Sequence, residues 1–249
     1  MPALEAIIFD VDGTLADTEE AHRRAFNDVF AARNLGWNWT REDYAKLLDV
    51  TGGKERIAHF MRDWLWRDPA EINIPALHRE KTDRYVELVA TGEIPLRPGV
   101  ARLINEALAA GVKIAIATTT SLENVEVLIG RTLGESMLDE FAAISAGDMV
   151  ARKKPAPDVY NHALAAMQIQ AAAAIAVEDS ENGLRSALAA GVACVITTNP
   201  YTDGREFTGA RAVLDCLGDT DKAASASAGR TPPGGVANLS YFRSIQAEA

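Results

Sequence analysis

Apolar and polar positions follow two different rhythms along this chain, and the change of rhythm divides it. Ala6-Ile7-Ile8-Phe9 is an unbroken apolar run of the length expected of a strand buried on both faces. Similar short runs recur at 113–117, 141–145, 173–177 and 193–197, with a weaker one at 212–214. Helical stretches of crossover length separate them, and the pairs Ala110-Gly111 and Ala190-Gly191 predict helix C-caps immediately ahead of strands. This alternation predicts an α/β core: a Rossmann-like, mostly parallel sheet covered on both faces, with ligands at the carboxyl ends of its strands. Over residues 17–93 the rhythm is helical only, with Ala25, Val29, Phe30 and Ile57, Phe60, Met61, Trp64 at helical spacing. Thr40-Arg41-Glu42-Asp43 has capping-box spacing, and all four tryptophans (Trp37, Trp39, Trp64, Trp66) fall in this stretch, where they read as its core. The predicted organisation is a core of 1–16 plus 94–249 interrupted by a helical domain, with Pro95-Leu96-Arg97-Pro98-Gly99 marking the return. Residues 223–235, rich in Ala, Ser, Gly and Pro, are expected to be flexible, and 236–245 to dock as a final short element.

With 249 residues, 48% of them hydrophobic, the chain can bury one large core carrying a smaller insertion. A formal charge of -10 argues against nucleic acid as a partner. An anionic ligand then requires local positive features: a metal, a lysine or helix N-termini. Cys194 and Cys216 form neither a disulfide framework nor a metal-ligand spacing and read as reduced core thiols. Met1-Pro2-Ala3-Leu4-Glu5 leads into the first strand without a basic start, and no run of about 18 apolar residues occurs, so a cytoplasmic setting away from membranes is expected.

The chemistry collects at predicted strand ends. In Phe9-Asp10-Val11-Asp12-Gly13-Thr14-Leu15, period-2 geometry sends the side chains of Asp10 and Asp12 off the strand end on the same side, and Gly13 permits a sharp turn. One carboxylate can attack phosphorus while the other handles the ester proton. Ile116-Ala117 runs into Thr118-Thr119-Thr120-Ser121, either a phosphate cradle or a plain helix cap. Lys154 precedes a proline-started helix, where its ammonium could neutralise both nucleophile and phosphoryl oxygens. Ile175-Ala176-Val177 ends in Glu178-Asp179-Ser180, with Ser180 a candidate N-cap. Four converging carboxylates require a cation, and an all-oxygen set suits Mg2+. Asp10 and Asp179 are its expected direct ligands, joined by the backbone carbonyl of Asp12 and by Glu178 directly or through water.

These four motifs, in this order, resemble the haloacid dehalogenase-like (HAD) hydrolase superfamily over nearly the whole chain. The resemblance implies Asp10 as nucleophile, Asp12 as general acid and base, Thr118 and Lys154 as holders of the phosphoryl group, and Glu178 and Asp179 as metal-binding residues. The helical insertion, 17–93, resembles the C1 cap of the phosphoglucomutase-like subgroup. Within it, Asp-Val-Asp-Gly-Thr-Leu-Ala, Ala117-Thr118-Thr119-Thr120-Ser121, Ala146-Gly147-Asp148-Met149-Val150 and Thr51-Gly52-Gly53-Lys54-Glu55-Arg56-Ile57 are similar to the CbbY branch of sugar-bisphosphate phosphatases. That likeness implies hydrolysis of xylulose-1,5-bisphosphate, an inhibitor of Rubisco, to xylulose 5-phosphate and inorganic phosphate. The chain is expected to be a monomer whose link to Rubisco is functional and not physical.

The insertion is expected to select the sugar by closing over it. Gly52 and Gly53 allow close backbone approach, and Lys54 or Arg56 could hold the phosphate that is not cleaved; an ordinary loop and helix start is the plain alternative. Thr119, His22 and, more weakly, Glu19 are further candidates for substrate contact, while His59, His78 and His162 read as surface or helix-face residues. A hexose-phosphate mutase shares the same core motifs and remains open. A phospho-accepting receiver domain is disfavoured, because its acceptor does not lie in the first strand and it needs no helical insertion.

Overall fold

The computed structural model describes residues 3–91 and 94–247. Six parallel strands, β1 (Ala6–Phe9), β2 (Lys113–Ala117), β3 (Phe141–Ser145), β4 (Ala174–Glu178), β5 (Ala193–Thr197) and β6 (Ala212–Leu214), and one antiparallel edge strand, β7 (Ala226–Gly229), form a single sheet of order β3-β2-β1-β4-β5-β6-β7. β1 is therefore central, and the order reverses beside it, the switch point at which open α/β sheets bind ligands.

Side-chain alternation divides the buried residues between the two faces. Ile7, Phe9, Ile114, Ile116, Ile175 and Val177 face one layer, which includes helices α5 (Val100–Ala109), α6 (Leu122–Thr132) and α9 (Leu239–Gln246). Ala6, Ile8, Ala115, Ala117, Ala176 and Ile196 face the other, formed by α7 (Asp158–Met167) and α8 (Glu181–Ala189). Gly111 and Gly191 follow α5 and α8 at φ +69° and +77°, the left-handed geometry expected where each helix stops before its strand.

Between β1 and α5 lie α1 (Glu19–Ala32), α2 (Arg41–Leu47), α3 (Gly53–His59) and α4 (Ile74–Ala90), with a single π turn at Phe60–Trp64. They enclose a separate core of Phe26, Phe30, Trp37, Trp39, Tyr44 and Ile57. Thr40 and Asp43 form the capping box of α2. Trp66 departs from expectation: it is 87% exposed, at φ +54°, so three of the four tryptophans pack in this core and one stands in solvent. The domain boundary expected at Glu93 lies outside the described residues.

At the other end, composition misled for part of 223–235. Ala226–Gly229 pairs with β6 as β7, and Gly229 at φ +74° brings the chain so close to Arg211 that a Cβ there would lie 2.3 Å from its carbonyl oxygen. Small residues permit this backbone approach; they do not mark a free linker here. Beyond them α9 buries Leu239, Tyr241, Phe242 and Ile245, consistent with docking of 236–245.

Candidate active site

Register brings the motifs together. Phe9 pairs with Ile116 on one side and Val177 on the other, so Asp10 emerges level with Ala117 and Glu178. Its amide donates to Val177 O (3.0 Å), continuing the ladder one residue past the strand. Lys154, 5% exposed, reaches in from the segment before α7 and donates from Nζ to Asp10 Oδ1 (2.6 Å), Ala117 O (2.7 Å) and Glu178 Oε1 (2.5 Å). Buried Tyr160 also donates to Glu178 Oε1 (2.6 Å). Burial pushes Asp10 up to about 7, reinforced by Glu178 and opposed by the Lys154 charge. For Lys154, burial would lower the pKa, but the charges of Asp10 and Glu178 prevail and raise it.

Asp10, Glu178 and Asp179 present carboxylate oxygens within 4.8 Å of one another. Burial and then the charges of Asp10 and Glu178 drive Asp179 well above the usual carboxylate range. Glu178 Oε2 is buried without a hydrogen-bond partner. Gly183 leaves room for it, since a Cβ on that helical residue would lie 1.9 Å away. An unpaired buried carboxylate oxygen in a crowded acidic group is the donor set a hard cation satisfies, so these residues fit Mg2+. Asn199 Nδ2 donates to Asp179 Oδ2 (2.6 Å) and to Gly13 O (3.4 Å).

Asp12 points elsewhere. Its Oδ1 accepts from Thr18 Oγ1 (2.6 Å) and pairs with His22 Nε2 (2.9 Å), so its side chain lies outside the three-carboxylate group. His22 Nδ1 in turn meets Lys81 Nζ. A cationic Lys81 can only donate, which assigns His22 the tautomer with its proton on Nε2, donating to Asp12. Burial would raise the Asp12 pKa, but His22, Thr18 and Lys81 outweigh it and hold it at about 2. Burial, then the Lys81 charge, lowers His22 to about 4. Burial also lowers Lys81 to about 7, against the pull of Asp12 and Glu19. The rings of Phe26 and Tyr85 lie 4.9 Å and 5.1 Å from Lys81 Nζ, and His22 stacks on Tyr85 at 4.0 Å.

Above these groups lies a cavity of about 410 Å3 between the helical insertion and the sheet. Thr118 and Thr119 line it with Gly52, Gly53, Glu19 and His22. Ser121 occupies the N-cap of α6 without making a side-chain cap bond, leaving its buried Oγ unpartnered. Lys54 pairs with Asp148 (3.2 Å), joining insertion to core. Arg56 also lines the cavity, but its donors go to Leu47 O, Val50 O and Tyr44 OH, so it organises the insertion's own loop. Tyr44 OH donates to Glu19 (3.1 Å), whose pKa burial raises to about 7. His78 corrects the surface reading. It lines the cavity, facing Gly53, where a Cβ would lie 2.4 Å from its Nε2. His59 pairs with Asp63, and His162 with Ser145.

Sequence reasoning also missed Lys81, Asn199 and Tyr160, all buried, and the half-buried Lys153. A polar residue inside a charged helical run or loop gives no local sign of where packing will place it.

The model of haloacid dehalogenase-like hydrolases matches residues 4–191. The chain belongs to this family. This HAD-family chain is 53% identical to "Protein CbbY" of Cereibacter sphaeroides over 87% of its length and 94% of the relative's. It is 40% identical to a "CBBY-like protein" of Arabidopsis thaliana, over 86% and 69% of the two chains. The crystal structure of CbbY from Rhodobacter sphaeroides, carrying D10N and in complex with xylulose-1,5-bisphosphate, superposes with a TM-score of 0.82 at 52% identity, covering 88% of this chain and 98% of that one. The chain is a phosphatase of the HAD family.

Proposed function

We propose that this enzyme is a Mg2+-dependent sugar-bisphosphate phosphatase that acts through an aspartyl-phosphate and hydrolyses xylulose-1,5-bisphosphate to xylulose 5-phosphate, removing a Rubisco inhibitor. The observation that carries the reading is the arrangement of two charge-lined ends in one cavity. Asp10, clamped by Lys154, lies at the floor, while Arg56 and Lys153 line the cavity where insertion meets core, with Lys54 beside it on the cavity-lining Asp148. The sugar bisphosphate bound by the R. sphaeroides relative supports the substrate class. Hydrolysis is preferred to the mutase alternative because that relative, at 52% identity, is far more similar than the β-phosphoglucomutase structure at 19%.

Asp10, Glu178, Asp179 and the main-chain carbonyl of Asp12 would hold Mg2+, which when bound neutralises the carboxylates and the phosphoryl oxygens. A carboxylate oxygen of Asp10 attacks phosphorus in line, the P–O bond to the sugar breaks, and Asp12 gives its proton to the leaving oxygen. Lys154 stays charged beside Asp10 throughout, and the Thr118 hydroxyl and nearby amides orient the phosphoryl group. Asp12 then takes a proton from water as that water attacks the acyl phosphate, which releases phosphate and restores Asp10. Ionised at rest, Asp12 draws the proton for the first step from His22 Nε2 as Lys81 reprotonates Nδ1. Closure of the insertion excludes bulk water and brings His22 and Lys81 to Asp12.

The enzyme is read as a cytoplasmic monomer, since one chain supplies both walls of the cavity and both cysteines are free and buried. Phosphate release from a panel of sugar mono- and bisphosphates, with and without Mg2+, tests the reading. Xylulose-1,5-bisphosphate should be the preferred substrate and ribulose-1,5-bisphosphate a poor one, and Asp10→Asn should abolish turnover. Equal cleavage of the two bisphosphates rejects the substrate assignment, and substantial turnover by Asp10→Asn rejects the covalent mechanism.

A further inference from the structure

Arg97 is 7% exposed, and its guanidinium is spent almost entirely on main-chain oxygens of three loops at the carboxyl edge of the sheet. Nη1 donates to Gly13 O (2.5 Å), Thr197 O (3.0 Å) and Thr197 Oγ1 (3.1 Å); Nη2 donates to Thr198 O and to Asp215 O (2.9 Å). Its one carboxylate partner, Asp17, pairs with Nε at 3.2 Å and is itself 59% exposed. A buried cation without a buried counter-charge is expensive, and an apolar side chain would fill the space at lower cost. What the charge achieves is convergence, because no aliphatic group can draw together five oxygen acceptors from three separate segments.

The loops it gathers are those that seat Asp179. Gly13, at φ +79°, passes so close that a Cβ would lie 2.3 Å from Asp179 Oδ2 and 2.4 Å from Asn199 Nδ2. Asn199, next in sequence to Thr198, holds Asp179 Oδ2 from the other side and reaches the same Gly13 carbonyl that Arg97 holds. Arg97 also lies where the chain re-enters the core. Its amide donates to Leu15 O (2.8 Å), and the neighbouring Leu96 bridges Ala16, which itself bridges Asp12.

We infer that Arg97 is a positioning residue, which fixes the Gly13 and Thr197–Thr198 backbone around Asp179 and ties this seat to both segments that connect the core to the helical insertion. The inference rests on the proposed role of Asp179 in holding Mg2+. Arg97 touches neither substrate nor metal; it acts through main chain and through Asn199.

The test compares wild type with Arg97→Lys, which keeps the charge and loses the fan of donors, and with Arg97→Ala. Arg102→Ala is the control for a purely structural loss, because Arg102 likewise donates to main-chain oxygens, of Leu217, Gly218 and Ala237, away from the site. Both Arg97 variants should weaken Mg2+ binding, measured by calorimetry without substrate, by about 10–100-fold. Amide exchange at 12–16 and 197–202 should quicken in the metal-free protein, and guanidinium ion should restore Mg2+ affinity to Arg97→Ala. Arg102→Ala should lose thermal stability with an unaltered Mg2+ constant. Should Arg97→Ala fail to fold, Thr197→Val, which removes one acceptor, should still weaken Mg2+ binding several-fold. An Arg97→Lys or Thr197→Val protein with the wild-type Mg2+ constant overturns the inference and leaves the proposed function standing; a wild type that binds no Mg2+ overturns both.

Discussion

Asp12, His22 and Lys81 form a chain whose proton content has a direct kinetic consequence. Lys81 is held at about 7, chiefly by burial, so it is charged below that pH and neutral above it. If it supplies the proton that Asp12 delivers, kcat/KM should fall as pH rises through about 7. Lys81→Met should remove that limb and reduce turnover by about 10²–10⁴-fold, the usual worth of a general acid. A Lys81→Met profile that keeps the same alkaline limb would falsify the relay. His22 adds a stability term of definite sign. Its folded pKa of about 4 lies below the ordinary imidazole value of 6.5, so the unfolded chain binds more protons in this window, and stability is lost as pH falls from 6.5 to about 4. Acid titration of wild type against His22→Gln should show this loss shrinking in the variant. Asp10, Asp12 and Asp179 were legible because each stands in a short motif at an apolar strand end, and Lys154 because it stands before a proline-started helix. Lys81 was not. It follows His78-Arg79-Glu80 in a helix that reads as solvated surface, and only the packing of α4 on α1 buries it against Phe26 and Tyr85.

At the scale of elements, the strands were legible almost to the residue, because a buried parallel strand must be apolar throughout and its ends are marked by the first polar side chain. The exception is instructive. β4 runs one residue further than its apolar run, to Glu178, since Lys154 and Tyr160 both donate to one oxygen of that carboxylate, Oε1, inside the core. Edge strand β7 escaped notice because Ala-Ser-Ala-Gly has neither β-branched nor aromatic residues, and its place depends on backbone proximity. Gly183 in α8 sets two effects against each other. Alanine should favour the helix by about 1 kcal/mol, yet its Cβ would lie 1.9 Å from Glu178 Oε2. Displacing the carboxylate also disturbs the bonds of Lys154 and Tyr160 to its Oε1, so Gly183→Ala is expected to lose thermal stability despite the better helix former, and to lose Mg2+ affinity by about 10-fold or more. Unchanged Mg2+ affinity would show that Glu178 can move without cost, and would remove it from the metal site.

For the whole molecule, the acidic site opposes folding unless a proton or a cation is present, and the two compete. The Asp10 carboxyl is raised to about 7, mainly by burial, and Asp179 is raised well above its ordinary value for the same reason. Between the usual carboxylate range and pH 7 the folded protein therefore holds protons that the unfolded chain has released. Metal-free stability must fall as pH rises through that window. Mg2+ must displace the Asp10 proton at pH 5 but meets an ionised Asp10 at pH 8, so its stabilising effect should be smaller at the first than at the second. At a free Mg2+ concentration of 100 times its dissociation constant, binding contributes about 2.7 kcal/mol, which for a chain of this size raises Tm by about 5–10 °C. The net charge of -10 adds a general repulsion of the same sign. Thermal scans at pH 5 and pH 8, each with Mg2+ and with chelator, measure the difference directly. The expected result is a Tm increment at least twice as large at pH 8; an equal or larger increment at pH 5 would mean that the carboxylates are already ionised in the folded protein and that Lys154 alone suffices to hold them.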